Sequence, residues 1–437
     1  MGERTMKILI IGGVAAGTKT AAKLKREDRS AEVTVITKDK DISYAGCGLP
    51  YYVGGLIESR EELIVNTPAK YAGLTGVEVK TGKEAIALHP EKKEVLVKDV
   101  ETGAEEAYGY DKLTVGASPA KLPIEGTDLS GVFQMRTPDD ATNIRAYVEE
   151  NQVKKAVVIG AGFIGLEVAE NLKAKGVQVT VIDFASQILP NIVDTEVAVY
   201  AKKHLLKEGI RVITGTKAEE IMGDDHVTGV KTSAGLLRCE LLIMAAGIRP
   251  NTDFLQNCGL EMFKGTILVD KTMKTNLEDV YAAGDCVMVT NRITGKPQWS
   301  PMGSSANLEG RTLAQILTGT KKEYPGVLGT GVVKLPNLNI GRTGLTEEQA
   351  KNAGYEVVTV VAPTDDKAHY YPDAGFFITK LIAEKDTHKL LGVQVLGTGA
   401  VDKMVDIAVM GINMGAVLED FENADFAYAP PFSTAIH

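Results

Sequence analysis

No stretch of this chain approaches the roughly 20 consecutive apolar residues that a membrane-spanning helix needs, which argues against a membrane protein. A basic surplus is missing too. Lysine and arginine number 48 against 57 acidic residues, a net charge of -9 with a pI near 5.4. Nucleic acid and anionic membranes both call for a basic surface, so neither is expected as the main partner. Cysteine is scarce, with four residues at 47, 239, 258 and 286, and the six histidines are scattered. There is no CxxC pair and no metal-ligand spacing, so no metal is expected and the chain suits a reducing cytoplasm. The first apolar run is only about five residues long and flows straight into glycines, a strand rather than a signal peptide. What remains is an ordinary globular composition, 44% hydrophobic and 24% charged over 437 residues. That length is too great for one core and predicts two or three domains.

Glycine is not scarce, and two of its clusters are ordered. The run Lys7–Ile11 leads into Gly12-Gly13-Val14-Ala15-Ala16-Gly17, with helical sequence from Thr18 to Arg26. Strand, glycine turn and helix in that order let backbone N–H groups at a helix N-terminus receive a pyrophosphate. Val14 stands where the second fingerprint glycine belongs, and Thr37 stands where an acid is expected after the strand Glu32–Ile36. Asp39 is the candidate to reach the ribose hydroxyls instead. The pattern returns complete at Lys155–Ile159, Gly160-Ala161-Gly162-Phe163-Ile164-Gly165, a helix through Lys173, and a strand Gln178–Ile182 ending in Asp183. About 20 positions after the last glycine, a carboxylate accepts hydrogen bonds from both ribose hydroxyls and repels a 2′-phosphate. NADH is therefore expected ahead of NADPH, although NADPH is possible.

Two dinucleotide units predict two dinucleotides, most simply a bound flavin and a transient nicotinamide. The segment from Thr275 to Asp285 fits the flavin. It reads as a strand ending in Gly284-Asp285, the glycine admitting the flavin's ribityl chain and the aspartate binding its hydroxyls. Between the glycine loops lies Ser43-Tyr44-Ala45-Gly46-Cys47-Gly48-Leu49-Pro50-Tyr51-Tyr52. A thiol flanked by glycines is open to attack from two sides, and a helix starting near Pro50 would aim its dipole at the sulfur and favour the thiolate. Cys47 is the candidate reactive centre; the alternative is a cysteine packed as a small hydrophobe. On the first helix Lys19, Lys23 and Arg26 recur at one-face spacing. They would hold substrate phosphates, with Arg60 as a fourth charge, or form a solvated face.

The glycine loops, the Gly284-Asp285 turn and Gly247-Ile248-Arg249-Pro250-Asn251 together resemble the flavin-dependent pyridine nucleotide-disulfide oxidoreductases, over essentially the whole chain. Ser43 to Tyr52 resembles their single-cysteine branch: coenzyme A disulfide reductases, persulfide and polysulfide reductases, and NADH oxidases. The resemblance implies an α/β fold of glutathione-reductase type. Two Rossmann-like domains would be joined to an α+β C-terminal dimerisation domain: FAD at residues 1–115 and 248–323, NAD at 116–247, and the interface at 324–437. Apolar strands at 331–335, 356–361, 376–383 and 390–396, with a helix from Ala400 to Asn413, agree with such a C-terminal domain.

The same resemblance implies FAD and NADH as cofactors. Gly12, Gly13, Ala15, Ala16, Gly17, Asp39, Ser43, Gly284 and Asp285 would serve the flavin, and Gly160, Gly162, Phe163, Ile164, Gly165, Asp183 and Gly247 the nicotinamide dinucleotide. Coenzyme A would be substrate or mixed-disulfide ligand, met by Ser43, Lys19, Lys23, Arg26 and Arg60. A homodimer would share its active sites, since Tyr428 matches a tyrosine lying over the cysteine and Tyr370 or Tyr371 supplies a second. A strand would direct only one of that pair inward. With no second cysteine near Cys47, the oxidised form would be a mixed disulfide with a small thiol, and the substrate a small disulfide, persulfide or polysulfide. The runner-up is an NADH oxidase cycling through a sulfenate; a redox-sensing flavoprotein that binds a partner is a reading of another class. There are departures. Gly46 replaces the asparagine usual in coenzyme A reductases, the strand and turn from Tyr110 to Pro119 are about two residues short of the family's, and relatives continue for at least a further helix past the position of His437.

Overall fold

In a computed structural model, residues 5–116 and 126–435 are described; Ala117 to Pro119, the end of the shortened turn, lie outside them. The first sheet is parallel and five-stranded, in the order Val280–Ala282, Lys112–Val115, Lys7–Ile11, Glu32–Ile36, Glu78–Lys80. One of its strands arrives about 165 residues after the others; helix Ala15–Glu27 packs on this sheet, and the antiparallel sheet Lys83–His89, Glu94–Asp99, Glu105–Gly109 shares its core. The second sheet repeats the architecture with Arg211–Ile213, Gln178–Ile182, Lys155–Ile159, Leu241–Met244 and Val132–Gln134, again all parallel. Its central strands read Lys-Ala-Val-Val-Ile and Leu-Leu-Ile-Met, continuous apolar runs buried on both sides.

The C-terminal sheet is antiparallel, in the order Gly331–Leu335, Leu338–Gly344, Leu390–Gly397, Phe376–Glu384, Val357–Asp365. Helix Val401–Met414 covers one face with Val401, Val405, Ala408 and Ile412. The other face enters a common core with the second parallel sheet, where Val333, Leu335, Ile340 and Leu396 meet Val158, Leu166 and Leu172. Strand Leu338–Gly344 escapes a sequence reading, because two glycines, an arginine and a threonine make it look like a turn. Gly341 is needed there: a Cβ would lie 2.7 Å from Val405 of the covering helix.

A buried ion cluster fixes this sheet to the second parallel unit. The Lys380 side chain is 1% exposed and reaches Asp194 at 3.1 Å, Glu196 at 3.0 Å and Glu347 at 2.7 Å. Gln394 donates to Asp194 at 2.6 Å and accepts from the Asp194 N–H at 2.7 Å. Among the described residues, no helix is long and apolar enough to cross a membrane.

Candidate active site

The two glycine loops are built alike, atom for atom. Gly12 (φ +116°) donates its N–H to Ile36 O, and Gly160 (φ +111°) donates to Ile182 O, both at 2.8 Å. A Cβ on Gly17 would lie 1.9 Å from Gly12 O, and one on Gly165 the same distance from Gly160 O. The last glycine of each motif is thus required by helix–strand contact. Gly162, by contrast, has nothing within 4 Å of where a Cβ would be. The open space at this helix N-terminus is a cradle for a pyrophosphate, so the residues fit the expected dinucleotides. Phe163 opens the second helix, Phe163–Ala174, and packs against Gly331 of the C-terminal sheet, while Ile164 is exposed. Gly247 (φ +104°) turns the chain after strand Leu241–Met244 with open space around it.

Asp183 is held ready by its own backbone. Its carboxylate accepts Ala161 N–H at 2.6 Å and Ala185 N–H at 2.7 Å, which fixes its rotamer at the mouth of the loop. Asp39 is placed differently, in an ion pair with Arg136 at 3.5 Å. Ser43 adopts a left-handed backbone (φ 48°), donates its N–H to Gly13 O at 2.8 Å and has Asn66 Nδ2 at 3.4 Å from its hydroxyl. Gly13, Ala15 and Ala16 line the same turn. Gly284 (φ +90°) sits so close to Ala16 that a Cβ would be 2.9 Å from the alanine methyl. The Gly284-Asp285 turn and the first loop are thereby brought together across about 270 residues, a contact the doubly wound topology creates. The strand before it is only Val280–Ala282; Thr275 to Asp279 form a turn, contrary to the longer strand expected.

Behind this turn stands a residue that no motif announces. Glu309, 1% exposed on helix Gly303–Leu317, accepts the Gly284 N–H at 2.7 Å. Burial pushes its carboxyl up to about 7, with Asp285 adding to the effect, and burial pushes Asp285 up to about 6. Both acids lie where charge has lost its water.

Cys47 lies in a 3-10 turn, Gly46–Gly48, leading into helix Leu49–Gly54, and is exposed. Leu49, Pro50, Tyr52 and Val53 bury the helix's inner face in the core of the second parallel unit. The expectation of a thiolate favoured by the helix dipole is corrected. Burial first, then the carboxylates Glu167 and Asp285, push the Cys47 thiol above its usual range.

The cations divide. Lys19 and Lys23 are half-buried and Arg26 exposed on helix Ala15–Glu27, with Lys23 paired to Glu27 and Arg26 Nε donating to Ala22 O. Arg60 is already committed to Asp41 and, at 2.7 Å, to Asp139, so a phosphate would have to displace two carboxylates. Tyr370 and Tyr371 lie in a turn, not a strand, so alternation does not choose between them. The turn presents Tyr370 to Tyr428, Oη to Oη 3.4 Å, while the Tyr371 ring faces Lys367 at 6.0 Å. All three tyrosines are exposed.

Paired Rossmann units, a glycine-flanked exposed cysteine and an antiparallel C-terminal domain define a dinucleotide-dependent oxidoreductase. The chain belongs to the pyridine nucleotide-disulphide oxidoreductase family: residues 6–305 match that family, and residues 332–437 match its dimerisation domain. It is 36% identical to an NADH oxidase of Methanocaldococcus jannaschii, over 98% of this chain and 96% of that protein. It is equally 36% identical to an NAD(P)H coenzyme A polysulfide/persulfide reductase of Pyrococcus horikoshii, over 99% and 97%. The solved structure of an NAD-dependent persulfide reductase from A. fulgidus superposes with a TM-score of 0.94 at 38% identity, covering 99% of this chain and 81% of that one.

Proposed function

We propose that this protein is an FAD-dependent reductase that carries electrons from NADH to Cys47 and on to a low-molecular-weight disulfide, persulfide or polysulfide. Coenzyme A disulfide or a coenzyme A persulfide is the leading substrate. The observation that carries this reading is the isolation of Cys47. It is exposed, while Cys239 and Cys286 are buried, Cys258 is partly buried, and none of the four is joined in a disulfide. A dithiol enzyme stores the electron pair in its own disulfide, whereas a solitary thiol must exchange with an external sulfur.

When bound, the flavin supplies hydride acceptance and two-electron transfer to sulfur. The domain spans 1–115 and 248–323 hold it through Gly12, Gly13, Ala15, Ala16, Gly17, Ser43, Gly284 and Asp285, with Asp39 tied to Arg136 at the ribose end. The span 116–247 takes NADH at Gly160, Gly162, Phe163, Ile164 and Gly165, with Asp183 on the ribose and Gly247 at the return crossing. Lys19, Lys23 and Arg26 steer substrate phosphates toward Ser43; Arg60 does so only by exchanging partners. Tyr370 and Tyr428, exposed on the dimerisation domain at 324–437, serve Cys47 of the other subunit by protonating the departing thiolate. Four cysteines with no disulfide among them support a cytoplasmic setting. An oxidase reading is favoured by the name of the M. jannaschii relative.

The deciding experiment is NADH consumption without oxygen, against coenzyme A disulfide and a panel of persulfides, for the wild type and Cys47→Ser. The wild type turns over at least one sulfur substrate; Cys47→Ser keeps its flavin and the flavin's reduction by NADH but loses that turnover. Full disulfide reduction by the serine variant overturns the assignment. Turnover with oxygen alone establishes the oxidase, and turnover with neither leaves a sensor.

A further inference from the structure

Glu167 is a carboxyl group that the chemistry above does not use, yet the fold aims it at the reactive turn. It lies one turn into helix Phe163–Ala174 and accepts a hydrogen bond from Tyr51 Oη at 3.1 Å. Tyr51 follows Cys47 by four residues, in the helix Leu49–Gly54 into which the Cys47 turn leads directly. The two helices are locked against each other: a Cβ on Gly54 would lie 2.2 Å from Asn171 Oδ1. Asn171 Nδ2 in turn donates to the Glu167 carbonyl at 2.8 Å. Charge on Glu167 acts on Cys47, and charge on Cys47 acts on Tyr51. Of the other ionisable groups here, Glu170 on the same helix is paired with Lys334 of strand Gly331–Leu335, and the charge of Asp285 also opposes the Cys47 thiolate.

Resting on the reading of Cys47 as the attacking sulfur, we infer that Tyr51 and Glu167 form a proton relay that takes the Cys47 proton for attack and returns it afterwards. Cys47 S–H gives its proton to the Tyr51 oxygen as Tyr51 gives its own to Glu167 Oε1. The freed sulfur forms a bond to one sulfur of the disulfide, and the substrate's S–S bond breaks with its electron pair leaving on the second sulfur as a thiolate. Reduction of the Cys47–substrate S–S bond by two electrons, which NADH would supply by way of a bound flavin, would leave two thiolates. The Cys47 sulfur recovers its proton along the reverse path, and the remaining thiolate departs to be protonated by solvent.

Burial pushes Glu167 up to about 7, with the Tyr51 hydrogen bond working against it and Glu170 adding to it. A base with that affinity is near half-ionised at neutral pH and can both take and return a proton. The relay and plain electrostatics predict opposite signs. A carboxylate beside a thiol opposes the thiolate, so deleting it for that reason alone would speed the reaction of the sulfur with an alkylating agent. Loss of a relay slows it.

The test is the rate of Cys47 alkylation by iodoacetamide in the reduced holoenzyme from pH 5.5 to 9.5, followed by mass spectrometry. The wild type shows a rise centred near pH 7, as Glu167 ionises. In Glu167→Gln and in Tyr51→Phe, each checked for a full flavin spectrum, that rise is absent and the rate at pH 7 falls by about 10²-fold, the lower end of general-base effects. Glu167→Asp restores a rise. Alkylation at pH 7 that is unchanged or faster in Glu167→Gln overturns the relay. The readout needs no disulfide substrate, so it fails independently of the Cys47→Ser turnover assay that tests the underlying function.

Discussion

Replacing Lys380 by methionine tests what holds the nucleotide unit to the C-terminal sheet. The substitution keeps the length and apolar stem of the side chain and removes one charge from a cluster containing Asp194, Glu196 and Glu347. Breaking a buried pair from one side costs about 3–5 kcal/mol, because the remaining charge is left unpaired out of water. Here the Asp194 side chain is 10% exposed but keeps its bonds from Gln394 Nε2 and the Glu347 N–H, while Glu347 is 26% and Glu196 53% exposed. The lower end, about 3 kcal/mol, is therefore expected. At about 2–4 °C per kcal/mol for domains of ordinary size, this is a fall in Tm of about 6–12 °C.

Burial works against the Lys380 charge, but Glu347, Glu196 and Asp194 outweigh it and raise its pKa to about 12. Its contribution is fully present below the ordinary lysine pKa of about 10.4 and is lost as pH rises through about 12. Glu347 is depressed, by Lys351 and then Lys380, so its share is present above the ordinary glutamate pKa and lost as pH falls. Calorimetry at pH 7.5 sits on the plateau between them. Adding Asp194→Asn to Lys380→Met should recover part of the loss, since it removes the most buried of the stranded charges. A Lys380→Met protein melting within 1 °C of wild type would refute the reasoning.

Asp183 should give NADH a kcat/KM advantage on the order of 10-fold over NADPH, since a 2′-phosphate against a carboxylate fixed by two N–H groups costs about 1–3 kcal/mol; equal values would show a cation pairing with the phosphate. Glu309→Gln should hasten flavin loss on dilution, read by the rise in free-flavin fluorescence, because the Gly284 turn loses its carboxyl acceptor. The Glu309 carboxyl is raised when folded, so its stabilising effect is complete below the ordinary glutamate pKa and lost as pH rises through about 7. The Tm difference between wild type and Glu309→Gln should thus shrink from pH 5 to 8, and a constant difference would contradict the assignment. Tyr428→Phe should slow turnover while sparing flavin reduction by NADH. Mixed with Cys47→Ser and re-dimerised, it should regain part of the activity. Heterodimers as inactive as their parents would place Tyr428 outside the neighbouring site.

Much of the site could be read from the chain because its parts are contiguous. Gly17 and Gly165 are demanded by backbone contacts within one strand–turn–helix unit, and Gly12 and Gly160 by their own positive φ, so the requirement falls at fixed spacings and is visible as a motif. Cys47 between its glycines, and Asp183 at the end of its strand, are legible for the same reason. The pairings were decided only by tertiary structure. Tyr51 and Glu167 are 116 positions apart, Gly284 and Glu309 are 25, and Lys380 meets a residue 184 positions away, with no periodicity linking the members. Arg60 looks like a free cation until Asp41 and Asp139 are folded against it, and a turn where a strand was expected sets Tyr370 against Tyr428. Depth matters as much as proximity. The thiol of Cys47 and the carboxyls of Glu167, Asp285 and Glu309 are all raised chiefly by burial. Loss of water is a property of the packed molecule; backbone geometry at a glycine is a property of a few consecutive residues, and only the second is written in their order.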